Sequence, residues 1–196
     1  MKKNLCFIFI LLLWNCGYPI LGIKTYTLKN GYSKVAKKSY VYHNKFKFEK
    51  SILHLIDTTV IYEEFEKKIH INNKEITVNT IARKNHDNPY KNYGAYRFYN
   101  NGNFNYFTLS RENDTLKENL FNPTYSGNRG VFYTEMNLIK GDLITRVSGA
   151  GAIGIRKEIF TFKGDTLFVT VKSHAHIRTY VKRKIPFKNL NFISNW

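Results

Sequence analysis

His174-Ala175-His176 sets two imidazoles at a spacing that metal sites use, because residues i and i+2 of a strand share one face. A centre needs a third ligand, which His54, His70, His86 or Asp87 would have to bring from elsewhere. Polar side chains at the tip of a last hairpin account for the pair better, and no metal is expected. Glu63-Glu64 with Glu66 is the local acidic cluster. Glycosidase carboxylates face each other from separate elements, whereas strand neighbours point to opposite faces, so a solvated strand end is expected. Ser148-Gly149-Ala150-Gly151-Ala152-Ile153-Gly154 is Gly-rich but lacks the Gly-Lys-Ser/Thr ending of a phosphate loop. It reads as a hairpin connection. There is no GxSxG and no HExxH motif. No catalytic residue, cofactor or enzyme activity is therefore expected; a hydrolase with an unrecognised constellation is the alternative.

The aromatic residues carry more information. Tyr96, Phe98, Phe104, Tyr106, Phe132 and Phe160 recur at period two, as the buried face of strands does. In a partly open barrel such a face accepts an apolar ligand. Arg97, Arg129 and Arg146 would then meet an anionic head group at the rim. The ligand-binding set under this reading is Tyr96, Phe98, Phe104, Tyr106, Arg97 and Arg129.

Strands must position these groups. Tyr40-Val41-Tyr42 and Phe46-Lys47-Phe48 alternate well enough for one strand, and Ile52 to Phe65 reads as extended chain through its β-branched run. Ile69 to Ile71 and Ile76 to Ile81 flank an Asn72–Glu75 turn. Ala95 to Tyr99 and Phe104 to Leu109 flank Asn101-Gly102, a pair that tolerates the positive φ of tight hairpins. Asp114 can cap a short helix from Thr115 to Leu120. The rest is a meander: Val131 to Met136, Leu143 to Val147 with Lys140-Gly141-Asp142 at the turn, Ile153 to Phe162, Leu167 to Val171 and Ile177 to Val181. No βαβ alternation is present.

The chain of 196 residues is 43% hydrophobic and 16% aromatic, enough for one core and too apolar for disorder. Its net charge of +17 fits an anion-attracting surface. The same excess of Lys, Asn, Ile, Tyr and Phe follows from A/T-rich codons, and the basic residues are dispersed. No nucleic-acid partner is expected. Met1-Lys2-Lys3 followed by Leu5 to Leu13 reads as an export signal too short to span a bilayer. Leu13-Trp14-Asn15-Cys16 resembles the lipobox of bacterial lipoproteins, which implies a lipid on Cys16 and a membrane anchor. Asn15 and Trp14 depart from the usual small residues. Cleavage after Gly22 and an uncleaved anchor are the alternatives. The two cysteines, Cys6 and Cys16, both lie in this segment.

Three motifs resemble the small lipocalin-like lipoproteins of flavobacteria and their relatives. They are Tyr96-Arg97-Phe98-Tyr99-Asn100-Asn101-Gly102, Asn122-Pro123 with Gly127-Asn128-Arg129-Gly130-Val131-Phe132-Tyr133, and Gly164-Asp165-Thr166-Leu167. The resemblance spans roughly residues 50–185, lacks the lipocalin Gly-x-Trp signature, and implies a fold without an activity. The expected organisation is a signal segment over 1–22, a basic aromatic tether over 23–50, an antiparallel β domain over 51–185 and a tail over 186–196. The expected fold is all-β, a meander closing into a lipocalin-like barrel or strongly curved sheet with one short helix; a two-sheet sandwich is the rival. The expected function is non-catalytic, as an outer-membrane lipoprotein that binds an apolar or anionic small ligand or plays a structural role. The rival is a periplasmic interaction module for a protein or an anionic glycan. Oligomeric state is left open.

Overall fold

The computed structural model describes residues 22–71, 74–79, 92–110, 117–149, 151–171, 177–186, 188 and 190–196. Cys16, Asp114, His174 and His176 lie outside these residues, as does the Asn72-Asn73 turn.

A small hairpin, β1 (Thr25–Thr27) and β2 (Lys34–Ala36), precedes two 3₁₀ segments at Ser39–Lys47 and Lys50–His54. The remaining strands are β3 (Ile61–Ile71), β4 (Lys74–Asn79), β5 (Asn92–Phe98), β6 (Asn103–Ser110), β7 (Asn128–Glu135), β8 (Leu138–Arg146), β9 (Ile153–Lys163), β10 (Thr166–Val171) and β11 (Ile177–Arg183). They pair antiparallel in the order β11-β10-β9-β8-β7-β6-β5-β3-β4, and β11 pairs back onto β3. That last ladder closes eight strands, all but β4, into a barrel. Closure decides against the sandwich, and it removes every free edge around the ring except where neighbours diverge.

The Asn-Gly hairpin forms as expected. Phe98 lies opposite Phe104 and both are fully buried. Gly102 takes φ +80, and a Cβ there would sit 2.7 Å from Phe48 Cγ, so both backbone and space require glycine. Gly164-Asp165 also turns where expected, between β9 and β10. Lys140-Gly141-Asp142 does not turn. Met136 and Asn137 make that reversal, both at positive φ, and Gly141 lies inside β8. A Cβ on Gly141 would lie 2.4 Å from Phe160 Cε2, so this glycine makes room for a ring on the next strand.

One expected strand is absent and another begins late. Ser39–Lys47 is 3₁₀, with the adjacent residues Val41 and Tyr42 buried together and Tyr40 and Phe46 exposed. Between Ile52 and Phe65, chain extension starts only at Ile61. Asp57 Oδ1 accepts from the Thr59 amide at 2.9 Å and its hydroxyl at 2.6 Å, an Asx-type turn that resets the direction. Of the expected Thr115–Leu120 helix, the described part is a 3₁₀ turn at Glu118–Phe121.

The barrel interior is one aromatic cluster. Tyr62, Tyr96, Phe98, Phe104, Phe132 and Phe160 pack there with Leu143, Leu167, Val169 and Tyr180. Five neighbouring rings lie with centroids 5.2–5.7 Å from Phe98, mostly edge-to-face. Phe48, Ile52, Leu53, Ile56 and Val60 join the same cluster and seal the end that carries the tight hairpins. The outer face is also covered. Phe121 and Leu190 bury Ile61, Ala95, Phe107 and Leu109, while Ala36, Val41 and Tyr42 bury Val131 and Ile144. The stretches read as tether and tail thus pack on the barrel wall.

Candidate functional site

β9 brings Arg156, Glu158, Phe160 and Phe162 to the interior by strict alternation. Two aromatic positions stand toward the sealed end and two charged ones toward the other. Glu158 is fully buried there. Its Oε1 accepts from the Tyr96 hydroxyl at 2.8 Å and from Arg156 Nε at 2.8 Å and Nη2 at 2.7 Å. The Arg156 guanidinium lies 5.4 Å from the Tyr106 ring centroid. Arg178 and Tyr180 on β11 face the same space with Tyr106 and Glu64 around them. Glu64 Oε2 accepts from the Gly94 amide at 2.7 Å, where β3 and β5 meet.

Arg156 and Arg178 thus meet Glu64 and Glu158 in one cluster. Burial raises the Glu158 carboxyl above its ordinary range, and Arg156 only partly offsets this. Burial likewise pushes Tyr96 and Tyr180 well up and Tyr106 up, so all three hydroxyls stay neutral. Burial opposes the charge of Arg156, and Glu158 together with Tyr96 and Tyr106 more than offsets it. Among the described residues, Glu158 Oε2 is buried in this cluster with no hydrogen-bond partner. Buried polar atoms are ordinarily satisfied, so the cluster retains capacity for another polar group.

A cavity of about 430 Å³ adjoins it. The β6–β7 ladder runs only from Asn103↔Val131 to Tyr106↔Asn128. Beyond Tyr106 the two strands part, and β6 has no β7 partner there among the described residues. The cavity occupies this notch, with Tyr106, Thr108 and Asn92 on one side and Ser126, Gly127 and Asn128 on the other. Tyr106 therefore belongs both to the charged cluster and to the cavity wall.

The sequence-derived ligand set divides. Tyr96, Phe98, Phe104 and Tyr106 come together inside the barrel. Phe98 and Phe104 are wholly enclosed, whereas Tyr96 and Tyr106 reach the polar end. Arg97 and Arg129 are on the outer wall, apart from the cluster. Arg97 donates to the carbonyls of Leu190 and Phe192 and stacks 4.5 Å from the Tyr99 centroid. Arg129 donates to the Pro123 carbonyl at 3.0 Å and lies over Trp196. Both hold covering segments against the wall. Arg146 is exposed near the end of β8. The acidic pair splits between faces as strand geometry requires, but it is not solvated. Glu63 and Glu64 are both buried, Glu63 against Arg183 at 3.0 Å and Glu64 in the cluster. Arg156, Glu158, Arg178 and Tyr180 were not singled out from the sequence. Their signal was parity, since Arg156 and Glu158 share the register of Phe160.

Among the described residues no group of three His, Cys, Asp or Glu could hold a metal ion. No family model, curated protein or solved structure matches the chain.

Proposed function

We propose that this chain is a non-catalytic cell-envelope protein whose barrel holds a small ligand at its polar end, anchored to the membrane through a lipid on Cys16. The observation that carries the binding part is the asymmetry of the barrel. One end is packed with rings and plugged; the other gathers Arg156, Glu158, Arg178, Tyr96, Tyr106 and Tyr180 beside a cavity. A pocket with a few convergent polar groups is the usual form of a ligand site. The aromatic packing around Phe98 argues against an apolar ligand buried deep in the barrel, since it would have to displace the core. Export and anchoring rest on the Lys2-Lys3 start, the apolar run and Cys16.

Native mass spectrometry of the protein purified from its own envelope tests the binding reading. A retained small molecule that Arg178→Met loses supports it. A bare mass, identical in wild type and variant, opposes it. Replacing Cys16 with Ser should move the protein out of the membrane fraction; a wild-type chain that already begins at Ile23 would refute the anchor.

A second reading has one specific support. Glu158, held toward its protonated form beside Tyr96 and Arg156, is the kind of group that serves as a general acid. Turnover of chromogenic esters or glycosides that Glu158→Gln abolishes would favour a hydrolase.

A further inference from the structure

The cavity between β6 and β7 has an unusual lining for this chain. Among the described residues that line it, none is charged. The walls are Asn30, Ser33, Asn92, Thr108, Ser126 and Asn128, with Tyr32 and Tyr106 as rings and Leu109 and Leu120 as the apolar part. Asn92 and Thr108 are exposed, so their amide and hydroxyl are accessible from the cavity side. The edge of β6 beyond Tyr106 adds a strand rim with no β7 partner among the described residues.

Tyr32 stands at this rim, 90% exposed. A lone exposed ring is ordinary on a protein surface, and this one lies at the cavity wall. Its backbone is nevertheless held in place. Asn30 Oδ1 accepts from the amides of Tyr32 at 3.1 Å and Ser33 at 2.9 Å. The Asn30 amide in turn donates to the Tyr125 carbonyl at 3.0 Å, and Gly127 donates to Ser33 Oγ at 2.9 Å. The β1–β2 turn is thus tied to the loop that precedes β7, and the ring is presented from a fixed base.

We propose that this notch binds a neutral, hydroxyl-rich ligand, a saccharide, with one sugar face on Tyr32 and its hydroxyls on Asn92, Thr108 and Asn128. Amides and hydroxyls both donate and accept, which matches a sugar hydroxyl that does the same, and a ring offers its face to the apolar side of a pyranose. The inference rests on the ligand-binding reading and names its ligand class.

The test is calorimetric titration of the full chain with neutral disaccharides (cellobiose, lactose and N,N′-diacetylchitobiose) at millimolar concentration. Sodium phosphate and sodium laurate serve as anionic and apolar probes. A saccharide should bind, and Tyr32→Ala and Asn92→Ala should each weaken it about tenfold. Phe46→Ala, which removes an exposed ring elsewhere, should leave it unchanged. Both site residues are exposed, so the variants should keep the wild-type unfolding midpoint, which is measured alongside. Saccharide binding that is indifferent to Tyr32 and Asn92 overturns the site. Binding of phosphate or laurate with the saccharides silent overturns the ligand class and leaves the ligand-binding reading intact. Silence from every probe overturns the inference; the wider reading falls only if the envelope-purified protein also carries no retained molecule.

Discussion

Gly102 shows how much a single position can decide. The Asn-Gly pair announces a tight hairpin in sequence, and the backbone takes the left-handed conformation that the pair allows. What the sequence does not disclose is Phe48, which packs against the turn from a distant segment. Gly102→Val therefore suffers twice, from backbone strain and from displacing a ring that plugs the barrel. Its urea unfolding midpoint should correspond to a loss of roughly 2–4 kcal/mol. Glu135 gives a prediction in pH. It accepts from Lys47 at 2.5 Å and Lys140 at 2.8 Å, and these two hydrogen bonds lower its carboxyl to about 2. Between the ordinary carboxylate range and that value, the unfolded chain takes up a proton that the folded chain refuses. Stability from this group is present above the ordinary range and is lost as pH falls toward about 2. Glu135→Gln should flatten the acid limb of a stability-versus-pH curve over that window, and an unchanged limb would contradict the contact. The polar cluster was harder to see at this scale. Arg156, Glu158 and Arg178 sit at inward parity among aromatics, but a charged residue at such a position reads locally as a solvated face. Only closure of the ring encloses it.

Period two marked most of the barrel strands, because each has one face on a continuous core. The Asn-Gly and Gly-Asp turns fixed two of the hairpins. The same rule misleads over residues 39–65, where chain wraps the outside and end of the barrel without pairing to it. There apolar packing is joined by specific polar contacts. Asn44 Nδ2 donates to Asp142 Oδ2 at 2.7 Å, and Asp142 also accepts from Tyr133 at 3.1 Å and from Lys157 at 2.7 and 2.8 Å. No local pattern could pair residues 98 positions apart. This bond fastens the Ser39–Lys47 segment to β8. Asn44→Ala removes one donor from a wholly buried carboxylate and should cost about 1–3 kcal/mol. Amide hydrogen exchange over 39–47 should accelerate while β8–β9 amides stay protected. Equal acceleration in both would mean that the segment is part of the barrel's own cooperative unit.

Across the whole molecule, the meander with short turns made a closed sheet readable, since sequential antiparallel strands need no crossover. The covered outer wall was not readable. β5 is buried on both faces because Arg97 grips the Leu190 and Phe192 carbonyls, and that grip depends on chain far away in sequence. Nor was the difference between the two ends, which arises only when the 3₁₀ segments insert at one of them. That difference is the central claim: a barrel plugged with rings at one end and, among the described residues, lined by polar and charged side chains at the other, where the ligand is proposed to sit. It is tested most directly by NMR of the protein carrying ¹³C-labelled tyrosine rings, titrated with the small-molecule extract of its own envelope divided into neutral, anionic and lipid fractions. Tyr32 and Tyr106 report on the polar end, and Tyr62 reports on the core near the plug. The account predicts that one fraction shifts Tyr32 and Tyr106 and leaves Tyr62 where it was. No shift from any fraction, or a shift of Tyr62 as large as that of Tyr106, would contradict it.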